Sequence, residues 1–514
     1  MINPHTDSII LRWSLKENPL IETWEVEGQT GRCLHLQVPS YTAEMIYMKW
    51  EYAYLLKVNM SKLKKDLYPF QKEGVAFIEE HYGRVLVADD QGLGKTIQSL
   101  AWLQLHPEAR PVIIVAPATV KINWQREAYT WMTNPKVEVI SGGKAHKIKG
   151  EIIIINYDIL TKWVKRLITI GPKVIILDEC HFIKNRGIKP KNESDRTKAV
   201  KRLCKKAKHV IGLSGTPIVN RPLELINIVN IICPKLFPSS WRYVKRYCDA
   251  KFNGFGWDYN GATNIEELHN ILTRNLMIRR LKKDVLKDLP PKTRTVIPVE
   301  INGMDEYEKA EDDFIGWLHS IDPKGMTPDK LTIALIKIEH LKRLTIAGKM
   351  KGIIDWIKNF LDTGEKLVVT FTHRNTASVL VEKFPNISTR VDGTVRDANR
   401  QKAVDAFNDD KIRLFLGNLK VMIGINLQAH CSNMLVVELG WVGTELLQAE
   451  DRLHRIGQKK GVNIWYIIGC NTVEERILKL LVKKQRIVES VLDGKPLKDK
   501  STLDELLTEM RNKK

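Results

Sequence analysis

The sequence predicts an α/β protein of two tandem lobes. Each lobe is built on a parallel sheet, a helical insertion separates them, and a small strand-containing unit precedes them. Three observations lead to this. Short apolar runs of strand length alternate with helical patterns from about residue 67 to 230. The pattern then turns helical, with aromatic and basic residues, to about residue 350. From Lys366 the alternation resumes. The expected divisions are 1–62, an N-terminal unit; 63–230, the first lobe; 231–345, insertion and linker; 346–475, the second lobe; and 476–514, a helical brace.

A chain of 514 residues has room for about three cores. Its 43% hydrophobic and 27% charged residues suit a water-soluble fold. No run of about 18 apolar residues suggests a membrane span. The start, Met1 to Asp7, lacks the basic-then-apolar order of a signal peptide. Seven scattered cysteines with no Cys-x-x-Cys argue against a zinc ribbon and a disulfide scaffold. The expected setting is intracellular, cytoplasmic or nucleoid-associated, or a host cell for a viral chain. The net charge of +21 favours a polyanionic partner, nucleic acid before membrane. Between Lys184 and Lys208 stand eleven Lys or Arg against two acids, Glu193 and Asp195.

In chain order, Ile9–Trp13 and Cys33–Val38 read as strands of the first unit. Gln71 precedes a helical pattern and is placed to read an adenine edge through its amide. Val85–Ala88 then reads as a buried strand running into Asp89-Asp90-Gln91-Gly92-Leu93-Gly94-Lys95-Thr96. Glycines let backbone N–H groups approach phosphate oxygens, and the following helix start and Lys95 add positive charge. The Thr96 hydroxyl suits magnesium. Asp89 stands where the usual phosphate loop has its first glycine. Val112–Pro117, Glu151–Ile155 and Val174–Leu177 read as further buried strands.

The last of these ends in Asp178-Glu179-Cys180-His181, at the strand end where open α/β sheets bind ligands. Two carboxylates with separate tasks are expected, Asp178 for magnesium and Glu179 to orient and deprotonate a water. Ser214 and Thr216, in the turn after Val210–Leu213, are candidates to sense a γ-phosphate. Met277–Lys292 carries six basic residues, and its Pro290-Pro291 marks a candidate hinge. In the second lobe, Leu367–Phe371, Ile412–Leu416, Met434–Val437 and Val462–Ile468 read as strands. Arg452 and Arg455, three apart, read as one face of a helix and as a pair of arginine fingers for the same phosphate. Each feature also has a plain reading: a glycine turn, a capped strand end, a basic surface helix. Their order along one chain outweighs it.

That order resembles the Swi/Snf-type helicase-like ATPases of helicase superfamily II, over about Leu67 to Arg476, and the layout looks closest to the annealing-helicase-like branch. The matching stretches are Asp90–Thr96, Asp178-Glu179, Ser214–Pro217, Arg279–Val285 with Leu289–Lys292, and Gln448–Gln458. Two departures are visible. Lys420–Met422 replaces a commoner Ala-Gly-Gly, and Cys180 replaces Ala. The resemblance implies two RecA-like lobes, ATP with Mg2+, and a monomeric motor on double-stranded DNA without zinc or membrane. It places Gln71, Asp90, Gln91, Gly92, Leu93, Gly94, Lys95, Thr96 and Gln458 at the nucleotide. Lys95, Asp178, Glu179, Arg452 and Arg455 become the catalytic set, and Trp124, Tyr157, Thr372, His373 and Asn426 lie near the nucleic acid. The alternatives are a strand-separating DNA or RNA helicase and a non-catalytic ATP-binding clamp.

Overall fold

The computed structural model describes residues 10–15, 21–27 and 33–39, and 63–481 apart from 144–145, 184–192, 216, 218–220, 253–255, 260, 322–326, 396, 423–424 and 442. Thr216 and most of the expected C-terminal brace, 482–514, lie outside these residues. Two compact units result, Met1–Asp66 and Leu67–Lys514. In the first, Ile10–Leu15, Ile21–Glu27 and Cys33–Pro39 form an antiparallel meander.

The larger unit holds both lobes. The first sheet runs Met277–Ile278, Arg84–Val87, His209–Leu213, Val174–Asp178, Val112–Ala116, Ile152–Asn156, Val137–Val139, with parallel pairing throughout. Val112–Ala116 and Ile152–Asn156 are buried along their whole length. Helices cover both faces of such a sheet, so its central strands carry no polar alternation. Parallel direction sets every strand's carboxyl end at one edge. Arg84–Val87, His209–Leu213 and Val174–Asp178 are neighbours. The phosphate-loop segment, Ser214 and Asp178-Glu179 therefore emerge side by side.

The second sheet runs Lys292–Val299, Val462–Gly469, Asn433–Val436, Leu367–Phe371, Leu414–Asn418, Ser388–Val391, again parallel. Two strands of these sheets lie within the expected insertion and linker, 231–345. Met277–Ile278 pairs with Leu86-Val87 of the first sheet, and Lys292–Val299 forms the edge of the second. Pro298 is tolerated there because an edge strand has one side without ladder bonds. The 34-residue helix Pro328–Leu361, whose Thr327 Oγ1 accepts from Lys330 N, spans the second lobe. Its buried Lys349 donates to the Ile467 carbonyl and pairs with Glu474. Helix 473–481 is thereby fixed to the second sheet, with Val473, Ile477, Leu480 and Leu481 in the core. Among the described residues no helix is long and apolar enough to cross a membrane.

Candidate active site between two lobes

The turn after Arg84–Val87 needs left-handed backbone at Gly92 (φ +85°) and Gly94 (φ +83°), and the helix Lys95–Leu105 starts at once. A Cβ on Gly92 would stand 2.7 Å from the Arg455 Cβ, so this glycine also lets the other lobe approach. Lys95 Nζ is buried and donates to the Asp89 and Asp90 carbonyls at 2.8 and 3.2 Å. Burial lowers its pKa, against the carboxylates of Glu179, Asp89, Asp90 and Asp178.

The aspartate at the usual glycine position now has an explanation. Asp89 is fully buried and accepts from Arg280 N, Nε and Nη2 at 3.0, 3.0 and 2.6 Å, and from Gln98 Nε2 at 3.0 Å. Arg280 also donates to the Phe70 carbonyl, and Arg279 donates to the Ala88 carbonyl at 3.0 Å. The segment expected to hinge is fastened along the phosphate loop. Lys282 extends the attachment: its N donates to Asp90 Oδ2 at 3.0 Å, and its Nζ lies 2.7 Å from Asp451 of the second lobe.

Asp178 and Glu179 close the far side of the cleft. Trp124 Nε1 and the Glu179 amide donate to Asp178 Oδ2 and Oδ1 at 2.7 and 3.0 Å, and the Tyr157 hydroxyl donates to its carbonyl at 2.8 Å. Burial and the adjacent Glu179 charge raise the Asp178 pKa. Burial would raise Glu179 too, but the His181 contact and the charges of Lys95 and Arg452 hold it low. Glu179 adopts φ +47°, a strained conformation of the kind found at functional sites. Its Oε1 accepts from Gln91 Nε2 at 3.3 Å, and its buried Oε2 makes no hydrogen bond among the described residues. The His181 ring stands 3.3 Å from that oxygen and 3.1 Å from the Ser214 hydroxyl, so Ser214 reaches the carboxylate through His181.

The second lobe supplies Arg452 and Arg455. The expected helix stops at Glu450, and both arginines lie in tight turns after it. His454 N still donates to the Glu450 carbonyl at 3.1 Å, but the His454 carbonyl is taken by Lys282 Nζ at 2.6 Å and His454 Nε2 contacts the Pro290 carbonyl at 2.9 Å, so helical pairing does not pass this residue. Arg455 donates to Asn426 Oδ1 at 2.6 Å, and its buried Nε makes no hydrogen bond among the described residues. Burial and the like charge of Arg452 push the Arg455 pKa down to about 10, which leaves it charged at neutral pH.

One cavity of about 90 Å³ gathers Gln91, Gly92, Gly94, Lys95 and Thr96 from the loop, Asp178 and Glu179, and Asn426, Arg452 and Arg455 from the second lobe. Three cations, Lys95, Arg452 and Arg455, and three carboxylates, Asp178, Glu179 and Glu127, line it, a gathering of buried charge that suits a polyphosphate carried with a divalent cation. The Asp178 carboxylate and the Thr96 hydroxyl are hard oxygen donors of the kind magnesium takes. Asn123 and Glu127, from the helix Lys121–Trp131, line the same cavity. Neither belongs to a recognisable motif; their spacing of four on one helix face is the only signal.

Other expected residues are placed elsewhere. Gln71 is buried and donates to the Leu93 carbonyl at 3.2 Å, while Asp90 and Leu93 shape the loop, so none of the three lines the cavity. Gln458 donates to the Cys431 and Leu453 carbonyls, away from it. Trp124 and Tyr157, expected near nucleic acid, are each 1% exposed and hold Asp178 in place, and Trp124 also lines the cavity. Thr372 and His373 are half-buried and gripped by Glu438. Asn426 also lines a second interlobe cavity of about 260 Å³ with Asn123, Arg126, Arg400 and Gln401.

Residues 70–320 match the SNF2-related domain family, and residues 348–457 match the helicase conserved C-terminal domain. The SWI/SNF-related matrix-associated actin-dependent regulator of chromatin subfamily A-like protein 1 of Xenopus laevis is 34% identical over 439 residues, 83% of this chain and 44% of its own. The DNA annealing helicase and endonuclease ZRANB3 of Mus musculus is 32% identical over 465 residues, 86% of this chain and 42% of its own. The chain thus spans less than half the length of these relatives. A solved SWI2/SNF2 ATPase core of Sulfolobus solfataricus, in complex with dsDNA, aligns with 88% of this chain and 97% of its own at 24% identity and a TM-score of 0.41. The two lobes, their motifs in order and the two matched families lead to one assignment: the chain belongs to the Swi/Snf-type helicase-like ATPases of helicase superfamily II.

Proposed function

We propose that the protein is a DNA-dependent ATPase that moves along double-stranded DNA and remodels or anneals DNA or protein–DNA complexes. One observation carries the reading: Lys95, Glu179, Arg452 and Arg455 line a single cavity although two lobes supply them. Lys95 and the loop amides hold the β- and γ-phosphates of ATP. Thr96 and Asp178 hold Mg2+, which supplies charge neutralisation on the phosphate oxygens. Glu179 takes the proton from a water that attacks the γ-phosphorus, and the bond to the β-phosphate oxygen breaks, giving ADP and phosphate. Arg452 and Arg455 stabilise the charge that develops, and they do so only while the lobes are together.

The cavity is smaller than the roughly 300–1,000 Å³ usual for small-molecule sites, so a whole nucleotide enters with the lobes apart and draws them together. The adjacent cavity carrying Arg126 and Arg400 suits a backbone phosphate, and Asn123 and Asn426 belong to both. Lobe movement is in this way linked to the grip on DNA. The names of the relatives, a chromatin regulator and a DNA annealing helicase, agree with such a substrate.

The test is phosphate release with and without duplex DNA, alongside triplex displacement and forked-duplex unwinding. Duplex-stimulated release with displacement and no unwinding is expected, and Arg455→Ala should abolish the stimulation while leaving nucleotide binding nearly intact. Unwinding of the fork would favour the strand-separating helicase. Absence of release would leave a clamp.

A further inference from the structure

Far from the nucleotide in sequence, the helix Ser240–Tyr247 turns Tyr243, Val244 and Tyr247 into the core. Its outer half presents Trp241, Arg242, Lys245 and Arg246, with no acid anywhere on the helix. A two-stranded hairpin, Lys251–Phe252 with Trp257–Asp258, follows at once and places Phe252 opposite Trp257. Trp257 meets Trp241 edge-on at 4.7 Å and Phe252 at 5.8 Å. Lys245 Nζ sits 5.4 Å from the Trp241 ring.

A hairpin this short is marginal alone, and three aromatic rings could simply fasten it to the helix. Fastening buries rings, yet here Phe252 remains 62% and Trp257 45% exposed. Arg246 and Lys251 are paired with Glu267 and Asp249. Arg242 and Lys245 have no acidic partner among the described residues and are exposed. Open ring faces beside uncompensated cations match the chemistry of unpaired nucleic acid. Exposed bases stack on aromatic rings, and the phosphates between them meet the cations. A duplex keeps its base faces covered and has nothing to offer the rings.

We infer that Trp257 and Phe252, flanked by Arg242 and Lys245, form a binding surface for single-stranded nucleic acid that shares no residue with the nucleotide cavity or with the cavity of Arg126 and Arg400. It gives the protein a hold on an unpaired strand that the motor reading does not contain.

The experiment uses the full chain, fluorescein-labelled oligothymidylate and two variants, Phe252→Ala/Trp257→Ala and Arg242→Glu/Lys245→Glu. Loss of stacking should weaken oligothymidylate binding about 10- to 100-fold. Duplex-stimulated phosphate release should stay at the wild-type level in both variants, which also shows that they fold. Oligothymidylate carrying 5-iodouracil should crosslink to Phe252 or Trp257 under ultraviolet light. Unchanged affinity in both variants, or crosslinks confined to other residues, overturns the inference. So does an equal loss of the duplex response, since the patch would then belong to the general DNA path.

Discussion

Lys282 and Asp451, on opposite lobes, approach to 2.7 Å, while the Lys282 amide is held by Asp90 in the phosphate loop. One residue therefore touches the loop and the turn that carries Arg452. Removing one member of a buried ion pair costs about 3–5 kcal/mol, and Lys292, 3.3 Å from Asp451, offsets part of that here. Lys282→Met should lower DNA-stimulated turnover about tenfold and enlarge the radius of gyration measured by small-angle scattering. Wild-type values for both would remove Lys282 from lobe closure.

Restoring the usual glycine at the head of the loop should do harm. Asp89→Gly leaves the buried Arg280 with only the exposed Glu73 carboxylate at 3.6 Å, at a cost of about 3 kcal/mol. The expected result is a lower Tm for the first lobe and weaker binding of a fluorescent ATP analogue. An unchanged or higher Tm would show that the Asp89–Arg280 contact does not support the loop.

Gly92→Ala tests the close approach of the lobes. The added methyl would lie 2.7 Å from Arg455 Cβ, on backbone with φ +85° that L side chains avoid. Strain of about 1–3 kcal/mol should reduce turnover roughly 5- to 100-fold. Arg455→Gly in the same chain opens the contact yet removes the guanidinium, so it should not rescue turnover. Rescue would mean that the arginine acts only by its bulk.

His373 lies between Glu339 and Glu438, which raise its pKa to about 9 against burial and the Lys342 charge. A histidine raised above its ordinary 6.5 contributes stability that is fully present below pH 6.5 and is lost as pH rises through about 9. The second lobe should therefore lose thermal stability across that window. His373→Gln should flatten the loss in a pH series of melting curves. Parallel slopes for variant and wild type would contradict the ion-pair cluster.

The buried strands were legible because a sheet covered on both faces needs uninterrupted apolar residues, and Val112–Ala116 and Val174–Asp178 fall within a residue or two of their expected limits. Ser388–Val391 and Lys292–Val299 were not, since edge strands with solvent on one side need no such run. Lys95 and Asp178-Glu179 could be found because each follows a strand directly. The partner of Asp89 could not, standing 191 positions away, and the aspartate reads in sequence only as a departure from the usual glycine. The contacts of Trp124 and Tyr157 with Asp178 were hidden for a related reason: an aromatic ring beside a motif looks the same in sequence whether it serves a ligand or holds a carboxylate in place.

The attachment of Arg280 to Asp89 has a mechanical result. The chain leaves that anchor and passes through Lys282 into Lys292–Val299, the outermost strand of the opposite sheet. This short span acts as a tendon between the loop and the neighbouring body. In the motor proposed above, a stroke of that body would pull on the loop or strip Arg280 from its seat, a covalent route outward that does not depend on the arginines inside the cleft.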